Sequence, residues 1–178
     1  TSKRNTVINR KVLPREIAST LQTKKAKEGT GSESWRKIPL WDWGKKEIYP
    51  GGMFKNNLIP FQAAIDAGTS AIMPYYSLPS GTEYEEVGYA YNKGVITDLL
   101  RTQMGFKGII NSDTGPIDRM PWGVESLSVP ERYKKAIEAG INIFSGISDP
   151  AGIIDVVQKN MIDISYIDNS VLLLKKKK

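Results

Sequence analysis

From Gly51 onward the chain repeats one pattern three times: a stretch of helical spacing, a glycine, a short apolar run and a polar loop. The helical stretches are 58–67, 95–104 and 130–139, and they stop at Gly68, Gly105 and Gly140. A glycine just past a helix accepts the left-handed turn that ends it. The runs that follow, SAIMPY (70–75), GIINS (108–112) and INIF (141–144), are apolar throughout rather than alternating. Continuous apolar runs of that length suit parallel strands covered on both faces. Polar loops span 77–92 and 113–123, and helical stretches at 152–159 and 166–174 close the chain. Helices alternating with short buried strands predict an α/β fold with a parallel sheet.

Neither a GxGxxG nor a P-loop pattern is present, which leaves a (β/α) barrel or a piece of one. A complete eight-unit barrel takes about 250 residues, and this chain has 178. The expectation is therefore a partial TIM-type barrel of about three or four βα units over residues 51–174. Residues 1–50 differ: they are polar and basic, with an exposed loop at 24–34, a short strand expected at 6–8 and a helix at 14–21. Trp35, Trp41 and Trp43 lie close together there. They either plug the loop onto the core or form a platform on which a sugar can stack.

The chain contains no cysteine and no histidine. That excludes a disulfide framework, a thiol nucleophile, imidazole bases and the commonest metal ligands. Chemistry is left to carboxylates, lysine, tyrosine and hydroxyls, and no cofactor or metal is expected. The net charge of +6 is concentrated at the ends: Lys175 to Lys178 supply four positive charges, whereas acidic residues outnumber basic ones between 51 and 174. A nucleic-acid reader carries its basic residues as a stripe on the folded body, so no nucleic-acid partner is expected and 175–178 reads as a solvated lysine tail. No apolar run approaches the roughly 20 residues of a membrane-spanning helix, so no membrane partner is expected either. The chain opens on Thr1 without a charged-then-apolar leader, which reads as a processed or excised piece and leaves its localisation open.

In βα barrels the reactive groups sit where strands run out into loops. That rule selects Tyr75-Tyr76, Asp113 and 146–149. Asp113 follows GIINS directly, and the turn Thr114-Gly115-Pro116 lets the chain leave without covering it. A carboxylate so placed suits attack on an anomeric carbon; capping a turn is the equally ordinary use of such an Asp. At the neighbouring strand end a Tyr76 hydroxyl is positioned to hold that carboxylate ionised, and Met73 either packs on a sugar ring or belongs to the core.

The segments LIPFQAAIDAGTSAIMPYYS, LLRTQMGFKGIINSDTGP and MPWGVESLSVPERYKKAIEAGINIFSG together resemble the second half of the catalytic barrel of glycoside hydrolase family 3. The resemblance runs from about Tyr49 to Lys175, and its most specific part is GFKGIINSD. It implies retaining exo-hydrolysis of β-glycosides, with a carbohydrate as partner and Asp113 as the nucleophile. It also implies substrate contacts from Met73 and Tyr76, matching the family's Met-x-x-Tyr, and from Lys25 in the KEGTG region, where relatives have a Lys-His pair. Asn57 stands where His is common, and Thr114 stands where many relatives have Trp; Trp122, in the same loop, is the substitute expected to face the sugar.

The resemblance leaves the general acid/base unassigned. In most of the family it comes from a domain after the barrel; Glu83, Glu85, Glu86 and Glu125 are the loop carboxylates nearest in sequence, and each also reads as a solvated surface group. By itself the chain is expected to be weakly active or inactive. Half a barrel leaves open sheet edges, so a missing half-barrel, a second domain or self-association is expected to cover them. Two other readings remain: a non-catalytic carbohydrate-binding or scaffold protein derived from the family, and a basic module using its lysine-rich ends.

Overall fold

The computed structural model describes residues 44–147 and 149–176. The strand and helix expected at 6–8 and 14–21, the three clustered tryptophans and Lys25 lie outside the described residues. The chain enters through β1 (Lys46–Glu47) and a 3-10 turn at Pro50–Gly52. Gly51 and Gly52 there take φ of 67° and 69°, a left-handed pair that turns the backbone into α1 (Phe54–Asp66). The helix thus begins four residues before the expected 58, because the glycine turn sets its start rather than the first leucine. Gly68, at φ 83°, ends it, its N–H bonding back to the Ile65 carbonyl.

Strand β2 (Ala71–Ile72) pairs in parallel with β4 (Ile109–Ile110), with Ala71 opposite Ile109. A single parallel bridge, Asn111 to Ile143, continues the order from β4 to the third apolar run. The strands are shorter than the apolar runs suggest. Pro74, without an N–H, falls within the first run and cannot extend its ladder. The polar stretch 77–92 is not wholly irregular: it opens with β3 (Leu78–Pro79), which pairs in parallel with β1, and closes with a 3-10 turn at Tyr89–Tyr91. Residues 46–47, grouped by composition with the N-terminal segment, are thereby part of the sheet structure. Two paired residues are too few to show a period in sequence.

The second helix, α2 (Gly94–Gln103), is wound as a π-helix, and the N–H of Met104 bonds to Leu99 O five residues back. Three α-helices follow: α3 (Val129–Ala139), α4 (Ala151–Gln158) and α5 (Ser165–Lys176). Lys175 and Lys176, read above as part of a tail, form the last turn of α5, where positive charge opposes the negative end of the helix dipole.

The core gathers Ile72 and Ile110 of the sheet, Ile96, Tyr91 and Phe106 around α2, and Tyr133, Ala136 and Ala139 of α3. Val156 of α4 is fully buried against them. Gly152 permits that approach, because a Cβ there would lie 2.2 Å from the Tyr133 ring. Asn142 knits the starts of two strands: its Oδ1 accepts both the Arg101 guanidinium, at 2.8 Å, and the Ile110 N–H, at 2.9 Å.

The start of α3 bears on the site below and is strongly marked. Pro130 sits in its first turn, and the Glu131 carboxylate accepts both the N–H of Ser128, at 2.8 Å, and its hydroxyl, at 2.6 Å. Replacing Ser128 with Ala is expected to lower stability by about 1 kcal/mol in chemical denaturation at neutral pH. These Ser128 bonds hold the Glu131 carboxyl below its ordinary value of 4.5. A depressed carboxylate stabilises fully above its unfolded value and loses the effect as pH falls through the folded one. The Ser128→Ala penalty should therefore shrink in acid; a penalty that grew on acidification would contradict this arrangement.

Candidate active site

Asp113 lies three residues past β4 and is 4% exposed. Its two carboxylate oxygens differ. Oδ1 accepts the N–H of Thr114 at 2.7 Å, while Oδ2 is buried with no hydrogen-bond partner among the described residues. Leaving a buried carboxylate oxygen unpaired is costly, and native proteins rarely do so without a reason.

A frame of backbone bonds holds this strand end. The buried Ser112 hydroxyl donates to the Asp113 carbonyl and accepts the N–H of Ser145 at 3.0 Å. The Ser145 hydroxyl donates to Asn111 Oδ1 at 2.8 Å. Gly146 follows with φ 70°, and a Cβ there would lie 2.3 Å from Thr114 Cγ2, so only glycine lets this loop close against the residue after Asp113. The FSG run at 144–146 is thus the lateral support of the aspartate.

The other residues singled out above fall in several places. Tyr76 is buried, and its hydroxyl donates to the Thr114 carbonyl at 2.6 Å. This corrects the expectation that it would bond the Asp113 carboxylate: it holds the backbone one residue further on. Met73 lines an apolar cavity of about 160 Å³ between α1, α2 and the sheet, with Phe54, Phe61, Tyr75, Leu100 and Ile110. Asn57 lines the same cavity. Trp122 is half-buried; its carbonyl accepts the Gly88 N–H at 2.8 Å, and the Lys45 ammonium lies 5.4 Å from its ring centroid. Thr114 is exposed.

The four loop glutamates are all exposed, and three have cationic partners. Lys135 donates to both oxygens of Glu85, at 2.8 and 2.9 Å. Glu86 accepts from the Ser80 hydroxyl, Lys46 and the Gly81 N–H, which hold its carboxyl below the ordinary value. Burial raises Glu125, but backbone N–H bonds and Lys45 outweigh it, so its net shift is also downward. A general acid needs the opposite shift.

The loop that leaves Asp113 carries the features least visible in sequence. Tyr91 donates to the Pro116 carbonyl at 2.6 Å, and burial pushes its phenol well above the ordinary value. Arg132, on α3, donates to the carbonyls of Ile117, Val124 and Glu125 at 3.0, 3.3 and 2.9 Å. These bonds span 7 to 25 positions along the chain, so no local pattern announces them. The only sequence signal was the length of the loop itself. Among the described residues no cluster of three potential metal ligands occurs.

The family model described as "Glycosyl hydrolase family 3 N terminal domain" matches residues 23–175. The chain is 43% identical over 146 residues to a probable β-glucosidase C of Aspergillus oryzae, covering 76% of this chain and 23% of that protein. It is 35% identical to a periplasmic β-glucosidase/β-xylosidase of Dickeya chrysanthemi, covering 78% of this chain and 25% of that protein. It therefore spans about a quarter of the length of these relatives. Among solved structures, the β-N-acetylglucosaminidase of Thermotoga maritima superposes with a TM-score of 0.63 at 18% identity, over 74% of this chain and 30% of that one. The β-glucosidase of Listeria innocua superposes with a TM-score of 0.61 at 21% identity, over 75% of this chain and 18% of that one. These likenesses show a fold of the TIM-barrel type.

Proposed function

The chain belongs to glycosyl hydrolase family 3, and on that premise we propose that its described residues form the last βα units of a barrel that cleaves β-glycosides with retention, Asp113 being the nucleophile. One observation carries the reading: at the strand end that closes GFKGIINSD, a buried aspartate has one oxygen held by Thr114 N–H and the other without a partner among the described residues. In this mechanism Oδ2 attacks the anomeric carbon as the glycosidic C–O bond breaks. The leaving oxygen takes a proton from a carboxylic acid, and a water deprotonated by the same group then hydrolyses the glycosyl ester.

That acid must stand about 5–5.5 Å from the nucleophile. All four loop glutamates are exposed, Glu83 included, and Glu85, Glu86 and Glu125 are committed to lysines, which makes them poor candidates. The pairing favours an acid supplied from outside the described residues, and with it a low turnover of the chain by itself. Met73, Lys25 and Trp122 remain proposed sugar contacts, and Tyr76 supports the nucleophile through the Thr114 backbone.

The test separates nucleophile from acid. A 2,4-dinitrophenyl 2-deoxy-2-fluoro-β-glucoside has a leaving group that departs without protonation, so trapping it needs the nucleophile alone. Incubation should add one fluoroglucosyl unit to the peptide containing Asp113, and none in Asp113→Asn. An unlabelled wild-type chain, or equal labelling of the variant, would overturn the assignment.

A further inference from the structure

We propose that Arg132 is a positioning residue for Asp113, acting by clamping the loop that leaves it. The inference deepens the catalytic reading above and rests on it for its meaning, but the clamp itself is a matter of geometry. Residues 112–128, between the Asn111 bridge and α3, contain no helix or strand. Beyond Ser112, whose N–H still bonds to Ile143 O, the sixteen residues that follow have no ladder and cost about 1–2 kcal/mol each in backbone entropy to hold in one shape, so an ordered loop of this length needs anchors. Side chains supply them at carbonyls: Tyr76 at Thr114, Tyr91 at Pro116, and Arg132 at Ile117, Val124 and Glu125. Among the described residues the arginine is the one side chain that bonds both halves of the loop, joining Ile117 to the segment just before α3.

Its own base is rigid. Arg132 lies one residue past the Ser128–Glu131 cap, and its neighbours Tyr133 and Ala136 are buried in the core. The planar fork of five donors suits three carbonyls at different angles; a lysine, with a compact ammonium, cannot reproduce that set. The consequence runs through Thr114. Its N–H holds Asp113 Oδ1, its carbonyl takes the Tyr76 hydroxyl, and the next residues are fixed by Tyr91 and Arg132. Releasing the clamp frees the peptide that orients the carboxylate, while the sheet bonds of Ile109, Asn111 and Ser112 stay in place.

The decisive measurement is the Thr114 amide in the full chain, followed by NMR with hydrogen exchange. In the wild type this amide should be protected and should shift as Asp113 ionises. In Arg132→Gln its protection should fall about tenfold or more, and its response to pH should weaken, with the amides of Ile110, Ala136 and Val156 unchanged. Arg132→Lys should behave like Arg132→Gln. A Thr114 amide unaltered in both variants overturns the proposal. If Arg132→Gln does not fold, Arg132→Lys decides by the same criteria; failure of both to fold overturns it too, because the arginine is then a global support. Fluoroglucoside trapping gives a second arm. Where the wild type is labelled, both variants should slow labelling at saturating reagent, by about 100-fold for a misplacement near 1 Å, with little change in the half-saturating concentration. An unlabelled wild type sinks the catalytic reading and leaves the amide measurement to decide the clamp.

Discussion

Asp113→Asn is expected to make the folded chain more stable while abolishing its capacity to form a glycosyl ester. The carboxylate is 4% exposed and its Oδ2 has no partner among the described residues. Asn removes the buried charge and keeps an Oδ1 that accepts the Thr114 N–H, while its Nδ2 brings two donors to the place where Oδ2 has no partner among the described residues. A gain of about 1 kcal/mol is expected at neutral pH, the relief of the buried charge being partly offset by the unpartnered Nδ2 donors; it raises the melting temperature by roughly 2–4 °C per kcal/mol in a chain of this size. Loss of a nucleophile lowers turnover by about 10⁴-fold or more. Stability and activity moving in opposite directions is what a strained catalytic group produces. Denaturant titration of the two proteins decides it: a destabilised Asp113→Asn would mean that the carboxylate is a structural cap after all.

Gly108→Ala should be among the most damaging single-methyl additions in the molecule. A Cβ at this position would lie 2.4 Å from the Ser70 carbonyl oxygen and 2.4 Å from the Phe106 ring. Ser70 O accepts the N–H of Ile109 at 2.9 Å and so marks the start of the β2–β4 ladder. Phe106 is 1% exposed in the centre of the core. Neither a ladder carbonyl nor a fully packed ring can retreat at small cost, so a loss of about 3 kcal/mol is expected. The variant should also lose protection at the Ile109 and Asn111 amides before the rest of the sheet in hydrogen exchange. A variant as stable as the wild type would refute the close approach.

These two substitutions fall in one motif and show what a motif can convey. GFKGIINSD could be read as a glycine, a strand and a strand-end aspartate, and the resemblance it carries agrees with the family match over residues 23–175. The physical basis of its second glycine was not legible, since Ser70 lies 38 positions away. Nor was the partner of Tyr76. Met-x-x-Tyr sets a tyrosine near the strand that leads to Asp113, but whether its hydroxyl meets the carboxylate or the next carbonyl depends on where Thr114 is held. Strand β3 escaped notice because two paired residues carry no period, and the early start of α1 because a pair of left-handed glycines, not hydrophobic spacing, sets it.

The sequence by itself determined the main helices and the three apolar strand runs, their order and the family. Helical spacing, terminal glycines and unbroken apolar runs are local consequences of backbone geometry and burial. It also narrowed the chemistry open to the chain, since a sequence without cysteine or histidine leaves carboxylates, lysine, tyrosine and hydroxyls. The tertiary structure alone decided which oxygen of Asp113 has no partner among the described residues, which glutamates are tied to lysines, and that an arginine and two tyrosines hold the loop beyond it. Each of those is a hydrogen bond or an ion pair between groups brought together by folding. Such pairings depend on distances of a few tenths of an ångström, set by the whole packed core and written in no short stretch of chain.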